Sequence, residues 1–216
     1  MFWLLLALSA RAAPEPDDAA LYRRSLDAVA WVLCLDKDWR YSFGTGVVVE
    51  GGNILTAYHV VGEDKLVAVV FPERGDDGSV IAEPKHYLDK YAALRRECVV
   101  VARDARRDLA LLRLKSGPAG PRPLPLAAAS APLGAAVFTI GGEPSGGALF
   151  RFAGGNVRAV YKAGLTFDTG QQVTARMVEM TVPLNPGDSG GPVIDRAREV
   201  VGINSSVSKN ANEVQR

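Results

Sequence analysis

Short apolar runs of strand length recur along the whole chain, each closed off by glycine, proline or a polar turn, and this pattern constrains the fold more than any other feature. The first half holds six such runs, at 28–35, 44–50, 53–58, 66–71, 98–102 and 109–114. A second set follows at 135–140, 148–152, 157–162, 177–182, 192–194 and 200–206, with GlyGly at 141–142, GlyGly at 154–155 and AspArgAlaArg at 195–198 reading as turns or bulges. Gly 22 and Pro 13 supply more punctuation than a helical bundle needs. The pattern predicts an all-β chain of two small barrels, with any cleft between them.

The segment 116–132 (SGPAGPRPLPLAAASAP) lacks periodicity and reads as the connector between the two units. The expected organisation is therefore a leader and first barrel over 14–115 and a second barrel over 133–216. A short helical turn is expected over 21–28, and the long connection from Phe71 to Cys98 carries Tyr87, Leu88, Tyr91 and Leu94 at helical spacing, predicting a loop with a short surface helix.

The 216 residues carry 25 basic and 24 acidic side chains, a net charge of +1, which provides no field to gather a phosphate backbone and argues against nucleic acid as the main partner. Residues 2–10 (FWLLLALSA), followed by Ala10-Arg11-Ala12, read as a secretory signal over 1–13. That run is about half the ~20 residues that cross a bilayer, so stable membrane insertion is not expected. A secreted or periplasmic location follows as an expectation. Only two cysteines, Cys34 and Cys98, are present, too few for a zinc site without histidines nearby. Both stand in apolar runs, which leaves two readings open, a pair of buried small hydrophobes or a single bridge.

Three residues in separate motifs bear on chemistry. AsnProGlyAspSerGlyGlyProVal, 185–193, surrounds Ser189 with three glycines, and a loop so built can turn successive backbone N–H groups toward one point. His59 closes the run IleLeuThrAlaTyrHisValVal, and Asp108 precedes the apolar run LeuAlaLeuLeuArgLeu. Taken singly, His59 fits a satisfied structural histidine and Asp108 a strand-boundary turn residue. Together with Ser189 they supply a nucleophile, a base and an orienting carboxylate, the set that acyl transfer needs. His86, between Lys85 and Tyr87, reads as a surface residue.

With GlyThrGlyValValVal (44–49), 54–61, AspAlaArgArgAspLeuAlaLeuLeuArgLeu (104–114) and AsnProGlyAspSerGlyGlyPro (185–192), the chain resembles the trypsin-like serine proteases, most closely their HtrA (Deg) branch. The resemblance runs from about Ala28 to Ser206 and keeps the order His, Asp, Ser. It implies two six-stranded antiparallel Greek-key β-barrels with the active site in the cleft. By the same resemblance His59 is the general base, Asp108 its orienting carboxylate and Ser189 the nucleophile, with the N–H groups of Gly187 and Ser189 as oxyanion hole. Leu184 and the segment Asn204, Ser205, Ser206 and Val207 would line the primary pocket and pair with an extended polypeptide substrate. No metal or organic cofactor is implied, and a homotrimer is the branch's usual assembly.

Two departures stand out. The branch usually has Asn before the nucleophile, where Asp188 stands here, and no activation-type IleValGlyGly segment is visible to supply a partner for that carboxylate. The sequence also stops at Arg216, where the resemblance calls for one more strand, a closing helix and often a PDZ domain, so the second barrel is expected to lack its last strand and no PDZ domain is expected in this chain. The expected function is an extracytoplasmic serine endopeptidase of protein quality control that prefers small or medium aliphatic side chains before the cut bond. A peptide-binding or chaperone-like module with little turnover is the alternative from a different class, and esterase work with the same triad is a third.

Overall fold

A computed structural model describes residues 17–63, 66–117, 122–144, 147–166 and 170–205. The expected signal segment, residues 1–13, lies outside them. The described chain opens with α1 (Asp18–Leu26), somewhat earlier than the expected turn, because Asp17 caps it by accepting from Ala20 N at 2.5 Å. Asp18 in its first turn and Arg23 and Arg24 in its last complement the helix dipole. Among the described residues, no helix is long and apolar enough to cross a membrane.

The first barrel is a closed ring of β1 (Val29–Leu35), β2 (Tyr41–Val49), β3 (Asn53–Ala57), β4 (Leu66–Val70), β5 (Arg96–Asp104) and β6 (Leu109–Leu114), in the spatial order β1-β2-β3-β6-β5-β4 with β4 pairing back onto β1. Closure removes the strand edges that an open sheet would expose. The run ValAlaTrpValLeuCysLeu of β1 is apolar on both faces for a reason. Ala30, Val32 and Cys34 fill the barrel interior with Val47, Ile54 and Leu112, while Val29, Trp31 and Leu33 face outward onto Tyr87, Ile140, Leu149 and Phe150. That outer cluster joins the first barrel, the 71–98 connection and the second barrel.

Both cysteines are buried and neither is in a disulfide. Cys34 pairs across from Val67, and Val67 across from Cys98, so the cysteines are two strands apart. At about 4.8 Å per strand that separation is roughly 10 Å, beyond the ~7 Å that a disulfide spans. The buried-hydrophobe reading therefore holds and the bridge does not form.

The second unit is a nearly closed five-stranded barrel, β7 (Ala136–Gly141), β8 (Arg151–Thr166), β9 (Gln172–Met180), β10 (Pro192–Ile194) and β11 (Val200–Ile203), ordered β11-β10-β7-β8-β9. The sixth strand expected from sequence is absent among the described residues because two expected strands are one. The GlyGly at 154–155 sits inside β8, where a Cβ on Gly154 would meet the Phe138 ring at 2.9 Å and one on Gly155 would meet Thr181 Oγ1 at 2.7 Å. These glycines admit close neighbours and do not turn the chain.

The connector is held between the barrels. Leu124 N donates to Val48 O at 2.9 Å, and Val200 N and Ala127 N bond to Pro125 O and Val200 O at 2.8 and 3.0 Å, so residues 124–127 link β2 to β11. The 71–98 connection carries two short helices, α2 (Pro84–Asp89) and α3 (Tyr91–Leu94), anchored by the wholly buried Tyr87. Tyr87 donates its hydroxyl proton to Ile81 O at 2.7 Å and accepts from Glu73 N at 2.9 Å. His86, expected at the surface, is 19% exposed and lies 2.6 Å through Nε2 from Glu73 Oε2.

Candidate active site

β3 runs directly into a single helical turn, Tyr58–Val61, and His59 stands in that turn with its side chain 28% exposed. Asp108 sits on the tight turn between β5 and β6 at φ +57°, a left-handed conformation that Asp tolerates better than most residues. Its side chain is fully buried. The two residues are fixed through backbone and side chain together. Tyr58 N donates to Asp108 O at 3.1 Å, His59 N to Asp108 Oδ1 at 2.9 Å, and His59 Nδ1 lies 2.8 Å from Asp108 Oδ2. A carboxylate only accepts, so the ring presents Nδ1–H to Asp108.

Two further donors approach the same carboxylate. Ser205 Oγ donates to Asp108 Oδ2 at 2.5 Å, and Gln171 Nε2, which donates to Ala105 O at 2.9 Å, stands 3.5 Å from Oδ1. The lone pairs of a buried carboxylate are thus met from both barrels.

The loop 185–191 is shaped by its own hydrogen bonds. Asn185 N donates to Asp188 Oδ2 at 2.8 Å, Asp188 N to Asn185 O at 3.1 Å and Gly191 N to Asp188 O at 2.9 Å. Gly187 and Gly190 take φ of +87° and +84°, and both are tightly enclosed. A Cβ on Gly187 would lie 2.6 Å from Glu143 N, and one on Gly190 would collide with Thr45 O and Thr56 Oγ1.

The first barrel grips this loop of the second. Thr45 N donates to Ser189 O at 2.8 Å and Thr45 Oγ1 to Gly187 O at 2.7 Å, while Thr56 Oγ1 donates to Thr45 O at 2.7 Å. Gly44 lies between the two halves of the site, since a Cβ there would meet Val60, next to His59, at 2.7 Å and Ser189 O at 2.8 Å. Among the described residues, no acceptor takes the N–H of Gly187 or of Ser189. The carbonyls of the same two residues are both bonded by Thr45.

The model of the trypsin-like peptidase domain matches residues 44–203. The chain belongs to that family. Protease Do-like 13 of Arabidopsis thaliana is 28% identical over 179 residues, which are 83% of this chain and 32% of that protein. The chain thus spans about a third of the length of that curated relative. The active form of the Rv3671c protease from M. tuberculosis superposes with a TM-score of 0.71 at 24% identity, covering 96% of this chain and 86% of that one. Deg5 superposes with a TM-score of 0.63 at 20% identity, covering 88% and 84% respectively. The two solved structures show the chymotrypsin-like double-barrel fold, and Protease Do-like 13 is a distant relative of the chain.

In this peptidase domain the residues expected to line a substrate pocket lie in different surroundings. Leu184 is half-buried against the cluster of Val137, Val157 and Val193 in the second barrel. Asn204 is buried, donates through Nδ2 to Thr139 Oγ1 at 2.6 Å, and clamps the nucleophile loop through Gly190 N to Asn204 O at 2.6 Å and Asn204 N to Gly191 O at 2.9 Å. Ser205 reaches Asp108. Ser206 and Val207 lie outside the described residues. Thr45, Gln171 and Arg151 were not singled out from the sequence. The GlyThrGly motif around Thr45 carried the signal for the first, and nothing local marks the other two.

Asp188 is the domain's buried acid without an obvious sequence partner. Burial raises its carboxyl pKa above the ordinary range, opposed by the Asn185 N–H and by Arg151, whose Nη2 lies 3.6 Å from Oδ1. Among the described residues, no cluster of His, Cys, Asp and Glu has the arrangement of a metal site.

Proposed function

We propose that the chain is a serine endopeptidase that cuts polypeptides through His59, Asp108 and Ser189. The observation that carries this reading is the doubly bonded His59–Asp108 pair, with contacts of 2.9 and 2.8 Å, standing across Gly44 from the enclosed glycine loop that holds Ser189. Ser189 Oγ attacks the scissile carbonyl carbon while His59 Nε2 takes its proton. The oxyanion that forms is held by the N–H groups of Gly187 and Ser189. Collapse of the tetrahedral intermediate breaks the C–N bond, the amine leaves with the proton from His59, and an acyl-enzyme remains. Water, deprotonated by the same imidazole, then hydrolyses the ester and restores Ser189. Asp108 stabilises the imidazolium in both halves and holds its tautomer.

The half-buried Leu184 and the lack of an acidic side chain over 181–186 support cleavage after small or medium aliphatic residues. The resemblance of the motifs at 44–49, 54–61, 104–114 and 185–192 to the HtrA branch is what supports a role on unfolded polypeptides, a periplasmic or secreted location and a trimeric assembly. The test is turnover of a peptide panel and of an unfolded protein by the parent, Ser189→Ala and His59→Ala. The reading expects cleavage by the parent alone, faster after Val or Ala than after Arg. Equal binding of unfolded protein by parent and Ser189→Ala, with no cleavage by either, would replace it with a chaperone-like module.

A further inference from the structure

Asp188 precedes the candidate nucleophile and lies between Gly187 and Ser189, whose N–H groups have no acceptor among the described residues. Its Oδ2 is taken by Asn185 N at 2.8 Å, which leaves Oδ1 in a buried place beside Gly141. A Cβ on Gly141 would come within 2.8 Å of Oδ1 and 3.0 Å of the Asp188 Cα, so the carboxylate presses directly onto the end of β7. A buried charge in this position needs a cation close by.

Arg151 is placed to be that cation. It is the first residue of β8 and pairs across from Gly141 in the ladder, so the residue opposite carries no side chain to stand between the guanidinium and Asp188. Nη2 lies 3.6 Å from Oδ1, and the Arg151 side chain is 29% exposed. Gly142, at φ +134°, lets the turn before Arg151 close tightly, since a Cβ there would meet Ala148 O at 2.6 Å. The backbone that delivers Arg151 is braced from outside the second barrel. Tyr22 OH donates to Phe150 O at 2.8 Å, Leu149 N donates to Ala82 O at 2.9 Å, and Phe150, at φ +57°, packs edge-on against Tyr87 with ring centroids 5.6 Å apart.

We propose that Arg151 is a positioning residue for the nucleophile loop: its ion pair with Asp188 holds the 187–189 backbone with the two N–H groups facing the cleft. The proposal deepens the serine-peptidase reading and rests on it. The ion pair takes the place of the chain-terminal amine that activation supplies to such a carboxylate in digestive-type proteases, so this loop is set by folding alone. The long connection over 71–98 acquires a job as well, bracing the turn that carries Arg151.

The test uses the full chain as parent, Arg151→Lys, Arg151→Gln, Asp188→Asn and the double variant Arg151→Gln/Asp188→Asn. Two readouts are taken: the rate of fluorophosphonate acylation of Ser189, and amide hydrogen exchange at Gly190 and Gly191, with β1 amides as the measure of global folding. Arg151→Gln is expected to slow acylation and speed exchange at Gly190 and Gly191, each on the order of 10- to 100-fold, with β1 protection kept. Arg151→Lys should recover part of both. The double variant should recover more than the sum of the single effects allows, because no buried charge is left without a partner. Acylation and exchange in Arg151→Gln equal to the parent, or strict additivity in the double variant, would overturn the proposal. If the parent itself is not labelled, the peptidase reading fails, and exchange at Gly190 and Gly191 decides the ion pair's role by itself.

Discussion

His59 and Asp108 are held by one another and by adjoining backbone, at the mouth of a closed ring of six strands, whereas Ser189 rides on a loop of a nearly closed five-stranded barrel. That loop is held by groups from elsewhere: Thr45 of the first barrel, Asn204 beyond β11 and Arg151 at the start of β8. The difference teaches where each half of the site is vulnerable. The base and its carboxylate are carried by the first barrel and bonded to each other, with Ser205 and Gln171 of the second reaching the carboxylate. The nucleophile's loop is shaped within the second barrel and completed by Thr45 of the first.

The largest effects should come from removing the reacting groups, which tests whether both halves serve one reaction. Ser189→Ala and His59→Ala should each lower kcat/KM by about 10⁶-fold, and combining them should add little, because the groups act as a unit. Asp108→Asn should cost about 10⁴-fold, since an amide can no longer hold Nδ1–H. Steady-state hydrolysis of one reporter peptide checks all three.

Next are the contacts that hold the loop. Gly190→Ala forces a methyl into Thr45 O and Thr56 Oγ1 at a positive φ and should destabilise the chain by roughly 3 kcal/mol, as read by urea unfolding. Thr45→Val removes the hydroxyl donor from Gly187 O and weakens the inter-barrel seam only partly, since Thr45 N still holds Ser189 O. It should cost about 1–2 kcal/mol and lower acylation more than it lowers stability. Equal losses would mean that the seam is merely structural.

The connection over 71–98 is sharpened by pH. Burial pushes the Tyr87 phenol up to about 12, so the fold favours its neutral form. Stability from this group is whole below pH 10 and declines as pH climbs from 10 toward 12. Tyr87→Phe should flatten that alkaline decline while losing about 1 kcal/mol at neutral pH with its hydrogen bonds, as followed by melting across pH. The smallest effect is on the thiols. Cys98, pushed up to about 12 by burial, and Cys34 are both unbridged, so a reductant should leave the melting temperature unchanged and a denatured sample should titrate two thiols without it.

The first barrel was largely legible because its strands alternate with turns and its core positions recur with period two, as in Ala110, Leu112 and Leu114 of β6. The second was less so. Two glycines at 154–155 carry the same local signal whether they turn a chain or let Phe138 and Thr181 approach a long strand, and only the partner strand decides. The residues of the site proper stood in motifs, but their supports did not. Arg151 and Gln171 reach Asp188 and Asp108 across the fold, at separations of 37 and 63 residues, where no pattern along the chain connects them.

The central claim is that two barrels assemble one activated serine. Fluorophosphonate labelling of the purified chain, with mapping of the tagged peptide, tests it without knowledge of the substrate. A tag on Ser189 in the parent that disappears in His59→Ala is the result predicted here. A folded parent that takes no tag, or one that is tagged equally with His59 removed, would contradict it.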